Sequence, residues 1–107
     1  MAIEYLEDAA RQGHTLAAVE LAYLYQLEGP WKDYAKAYEK ARFAAEHGAA
    51  SAWFVLGTLL FLGRGCQPDA LQAEKYFEQA AKKGIYAAEV MLEKVRRTGR
   101  GAAGTEE

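Results

Sequence analysis

A single cysteine, Cys66, leaves the chain no disulfide of its own and points to a reducing compartment. Proline is confined to Pro30 and Pro68, so long stretches are free to be helical. No run approaches the roughly 18 apolar residues of a membrane span. The N-terminus also lacks the basic start and apolar core of a signal peptide. Ala2 already lies inside the repeating pattern described below, so a leader lost upstream would leave the same sequence. Charge of neither sign dominates. The net charge is −2, with five Lys/Arg against eight Asp/Glu in residues 1–50 and eight against seven in residues 51–107. Neither half signals nucleic acid or an anionic membrane.

Histidine is limited to His14 and His47, with no cysteine or carboxylate at zinc-ligand spacing beside them. Glu46 and His47 are neighbours on a helix and point in different directions, with no nucleophile close by. Those gaps argue against an enzyme, a metal site or a cofactor.

What is present is a repeat. Ala9-Ala10-Arg11-Gln12-Gly13, Ala44-Ala45-Glu46-His47-Gly48 and Ala80-Ala81-Lys82-Lys83-Gly84 stand 35 and then 36 residues apart. Each glycine is followed by an alanine four residues on (Ala17, Ala52, Ala88) and a leucine eight residues on (Leu21, Leu56, Leu92). A period of this length marks stacked helical units, and about three of them is the minimum for a stable stack.

Apolar spacing and breakers place six helices in the 107 residues: 2–12, about 15–27, 34–47, about 50–62, 70–83 and about 86–98. Asp33 and Asp69 are the expected N-caps of the third and fifth, with Gln72 placed to complete a capping box with Asp69. The fourth, ASAWFVLGTLLFL, is the most apolar, as a helix flanked by repeats on both sides requires. The sixth puts Glu93 where Ala22 and Gly57 stand earlier, and Arg96 where Tyr25 and Leu60 stand. That change suits the outer face of a terminal repeat. A folded unit over 1–101, with repeats at about 2–36, 37–72 and 73–101, is expected to be followed by a disordered tail over 102–107.

The segment Gln72-Ala73-Glu74-Lys75-Tyr76-Phe77-Glu78-Gln79-Ala80-Ala81-Lys82-Lys83-Gly84 resembles one helix of a Sel1-like repeat. Ala52 to Gly65, with Leu56-Gly57 and the closing Gly63-Arg64-Gly65, resembles the other. Repeat one departs in Tyr5-Leu6 and Glu28-Gly29-Pro30, and repeat two in Lys40-Ala41. The resemblance implies an all-α, right-handed solenoid of three helix-turn-helix repeats, serving as an adaptor or scaffold that binds a protein or peptide on a concave first-helix face. It implies no cofactor and no catalysis.

Positions that vary between repeats are candidates for contact, since stacking does not need them. Phe43 corresponds to Asp8 and Gln79, Trp53 to Ala18 and Glu89, and Tyr86 to Thr15 and Ala50. Aromatic anchors of this kind serve interfaces, although Phe43 and Trp53 would equally fill a wider gap in a middle repeat. Glu39, Glu46 and His47 accompany Phe43, and Glu4, Glu7 and Asp8 extend an acidic, outward helix face. Trp31, beside Pro30, either anchors a partner or covers helix ends. Cys66, near Arg64, is a candidate for a lowered pKa. Lys94, Arg96, Arg97 and Arg100 form a basic cluster, which sustains a second reading: an RNA-binding helical repeat. The edge formed by helix 2–12 is a candidate for self-association.

Overall fold

The computed structural model describes residues 2–104, and side chains from residue 3 to residue 98. Its elements are α1 (Ala2–Arg11), α2 (Thr15–Gln26), α3 (Tyr34–Glu46), α4 (Ala50–Leu62), α5 (Ala70–Lys82) and α6 (Tyr86–Gly104), with no strand among the described residues. They make an elongated body of 51 × 28 × 18 Å.

The Ala-Ala-x-x-Gly motif explains three of the connections. After α1, α3 and α5 the chain closes with the same pair of hydrogen bonds. Gly13, Gly48 and Gly84 donate to Ala10, Ala45 and Ala81 (2.9, 3.0 and 2.9 Å), and the next residue donates to Ala9, Ala44 and Ala80 (3.1, 3.1 and 3.2 Å). This is a helix-ending turn that needs a left-handed residue, and the three glycines have φ of 93°, 84° and 92°. Asp33 and Asp69 cap α3 and α5 by accepting from the Lys36 and Gln72 amides at 3.1 and 3.0 Å.

Helix α6 departs from its expected end. It continues to Gly104 rather than stopping at about residue 98, so the first three residues of the expected disordered tail, 102–104, are helical. Residues 105–107 of the expected disordered tail lie outside the described residues.

The core runs along α4. Ala52, Val55, Leu56, Gly57, Leu59 and Leu60 are all buried there, joined by Leu21 from α2 and the fully buried Phe77 from α5. Gly57 is small for a reason: a β-carbon on it would lie 2.8 Å from the Phe77 ring.

The helices are arranged in two rows. α2, α4 and α6 approach one another directly, whereas α1, α3 and α5 are separated by the helices between them. The most extensive packing joins α2 to α3 and α4 to α5 across the longer loops. The closely spaced row of a curved stack is its inner row, so the first helices of the expected repeats occupy the outer side. The expectation of a concave first-helix face is reversed. A 35-residue period fixes the length of a repeat but not where the repeat begins.

Candidate functional site

Helix α3 presents an open groove of about 310 Å³ lined by Ala35, Lys36, Tyr38, Glu39, Arg42, Phe43 and Glu46. Spacings of three and four residues bring these side chains to one side of the helix, while Ala37, Ala41 and Ala44 are buried on the other. Arg42 lies 3.5 Å from Glu46 and 5.9 Å from the centre of the Tyr38 ring. Phe43 is half-buried against Ala18, Val19, Ala44 and Ala52. Its other side meets the His47 ring at 4.3 Å, and His47 Nδ1 lies 2.8 Å from the Phe43 carbonyl, its ring N–H donating. The groove thus combines two partly exposed aromatic rings, Tyr38 and Phe43, with two carboxylates and two cations.

Three of the six candidate residues therefore sit together on α3, Glu39, Phe43 and Glu46, and His47 caps the helix with its ring against Phe43. Trp53 and Tyr86 do not join them in the groove. Trp53 is half-buried against the core, and its indole N–H donates to the Ala45 carbonyl at 3.2 Å, tying the start of α4 to the end of α3. Tyr86 is exposed at the start of α6, a helix that does not touch α3.

The structure also changes the expected acidic face. Glu7 is not a solvated side chain. It accepts hydrogen bonds from the Tyr25 hydroxyl and, at 3.0 Å, from Lys40 Nζ, so α1, α2 and α3 meet at one carboxylate. A polar cleft of about 420 Å³ opens beside it, lined in part by Arg11, Lys36 and Glu39. Burial works to raise the Glu7 pKa, but the Tyr25 and Lys40 hydrogen bonds and the nearby lysine charges outweigh it and hold the carboxyl below its ordinary value. Burial and the Glu7 carboxylate together push the Tyr25 hydroxyl up to about 12.

Arg96 is another correction. Rather than facing outward, it lies against α5, with Nε 2.9 Å from Glu74 and a terminal nitrogen 2.9 Å from Glu78. The basic cluster loses its central charge to these carboxylates. Arg64 lies over the Tyr34 ring, 5.2 Å from its centre, in a loop against the start of α3. Lys94 and Arg97 are exposed, and the Arg100 side chain lies outside the described residues. Cys66 reverses the expectation of a lowered pKa: burial, then the Asp69 charge, pushes the thiol up. Trp31 is 43% exposed and does not fold back fully over the helix ends.

No group of three or more metal-ligating side chains occurs among the described residues. No described helix is long and apolar enough to cross a membrane.

Neither protein-family models nor curated proteins give a match to the sequence. Solved structures do. A protective antigen of uropathogenic Escherichia coli strains, displaying an SLR fold, is 34% identical, with a TM-score of 0.84 over 91% of this chain and 21% of that one. A Sel1 repeat protein from Oxalobacter formigenes is 30% identical, with a TM-score of 0.78 over 86% of this chain and 27% of that one. The chain therefore spans about a fifth to a quarter of the length of these two proteins. The recurring Ala-Ala-x-x-Gly turns, the alternating rows of helices and these matches agree: the chain is an all-α solenoid of Sel1-like repeats.

Proposed function

We propose that this solenoid is a protein–protein interaction module, the general role of Sel1-like repeats, and that it engages a protein or peptide through the outer face of α3. The supporting observation is the half-buried Phe43 ring at the floor of an open groove, flanked by Glu39, Glu46 and His47. A partner anchor seated on Phe43, with a basic residue reaching Glu39 or Glu46, would use an apolar centre and a charged rim. Trp53 supports this face from behind by holding the α3–α4 junction. Tyr86 offers a separate contact at the start of α6. The exposed Tyr5 and Leu16 at the α1–α2 edge carry the reading of self-association. The fold is typically a non-enzymatic scaffold, and the groove contains no arrangement of nucleophile and base.

The RNA-binding reading keeps Lys94 and Arg97, but Arg96 already serves Glu74 and Glu78. The testing experiment is capture of partners from source-cell lysate with the wild-type chain and with Phe43→Ala and Glu39→Lys, with and without nuclease. A protein retained after nuclease and lost with both folded variants is the expected result. Retention by both variants removes α3 as the binding face, and loss on nuclease treatment moves the argument to the basic end.

A further inference from the structure

One end of the solenoid carries a surface that the groove on α3 does not explain. At the end of α2 and the end of α4, one repeat apart on adjacent helices, Leu27 and Leu62 are 55% and 48% exposed, and Trp31 follows Leu27 in the loop. The loops holding them are locked together. Gly65, at φ 77°, passes so close to the Tyr34 carbonyl that a β-carbon there would collide with it. The Tyr34 ring lies under two cations, Lys32 Nζ at 5.1 Å and the Arg64 guanidinium at 5.2 Å. Lys32 is answered by Glu28 at 3.1 Å. Arg64 makes no ion pair among the described residues and shares its aromatic ring with another positive charge. The equivalent position in the third repeat is Thr98, which ends the leucine row at α6.

We propose that this end is a second docking surface, which takes a short partner peptide with an apolar side chain for Leu27, Leu62 and Trp31 and a carboxylate for Arg64. The apolar row supplies the area removed from water. The Arg64 fork supplies direction, because a guanidinium favours a planar carboxylate and this one has no ion-pair partner among the described residues. Charge favours a peptide over a lipid surface. Glu28, Asp33 and Asp69 lie in the same loops and oppose an anionic bilayer, whereas a peptide can place one carboxylate at one cation.

The test is selection of random peptides of about a dozen residues on the immobilised wild-type chain. Binding of the enriched peptides to Arg64→Ala, Leu62→Gln and Phe43→Ala is then measured on variants whose folding is checked by circular dichroism. Enriched peptides should pair Leu or an aromatic residue with Asp or Glu. Their affinity should fall about tenfold with Arg64→Ala and with Leu62→Gln, weaken with salt, and be unchanged by Phe43→Ala. Absence of enrichment, or binding indifferent to both loop variants, overturns the proposal. So does loss of binding with Phe43→Ala alone, which would assign the peptides to the groove on α3. Flotation of the chain with phosphatidylserine vesicles, abolished by Trp31→Ala, would also overturn it in favour of a membrane surface.

Discussion

At the N-terminal end of the solenoid, Glu7 and Tyr25 are eighteen residues apart and meet in a half-buried hydrogen bond that Lys40 completes from a third helix. At the C-terminal end, Glu78 and Arg96 are also eighteen residues apart and meet at 2.9 Å, with Glu74 as the second acceptor. The positions are equivalent, a carboxylate on the first helix and a donor on the second helix of each end repeat. In the middle repeat Arg42 and Leu60 occupy them, and α4 is buried deeply enough to need no polar contact. A half-buried site favours a neutral hydroxyl, which loses less hydration than a charge. A site open to solvent accepts a guanidinium, whose attraction to carboxylates is then weakened by water and salt.

Four measurements would break or sharpen this contrast, in order of decreasing effect. Tyr25→Ala removes an aromatic side chain that is only 5% exposed. It should cost about 3–5 kcal/mol in chemical denaturation, the usual range for a buried aromatic truncated to alanine. Glu7→Ala leaves the Tyr25 hydroxyl and Lys40 without their acceptor, and a loss of about 1–3 kcal/mol is expected; a neutral result would mean that water replaces the carboxylate freely.

The pH profile comes next. The Glu7 pKa is lowered by folding, so its contribution is present above the ordinary value of 4.5 and is lost as pH falls through the folded value. Tyr25 has the opposite sign. Raised from 10.0 to about 12, it contributes fully below pH 10 and its contribution is lost as pH rises towards 12. Glu7→Gln should therefore flatten the acid side and shrink the alkaline loss, which would level off before pH 12, as followed by thermal melts across pH. Arg96→Ala should give the smallest change in melting temperature, and that change should shrink with added salt. A salt-independent loss would show that its aliphatic stem, rather than its charge, matters.

Much of the fold was readable because it depends on short-range chemistry. Gly13, Gly48 and Gly84 mark turns that the backbone must make, and Asp33 and Asp69 mark caps; both devices act within a few residues. What escaped the sequence acts across helices. Glu7 looked solvated because it stands among the charged residues Glu4, Asp8 and Arg11, and only the positions of Tyr25 and Lys40 in the fold show otherwise. A carboxylate and a donor eighteen residues apart at both ends would have been the signal. Phe43 stood out as an aromatic where its counterparts are polar, but its half-burial reflects the neighbouring Ala18 and Ala52, which no pattern within α3 reveals. Trp53 stood out equally and proved to be bonded to the Ala45 carbonyl, because an aromatic ring at a helix start can lean on the preceding turn. Curvature was misjudged because equal spacing along a chain does not say which row of helices is compressed.

Helix α4 touches α2, α3, α5 and α6, while α1 packs on α2 and reaches α3 through the Glu7–Lys40 pair. In kinetic terms this makes the middle of the chain the region whose opening requires global unfolding, and the N-terminal helix the region able to open by itself. Amide exchange should accordingly be slowest along Val55–Leu60 and fastest in α1. Because the contacts are made between helices close in sequence, the chain should refold rapidly, with few long loops to close.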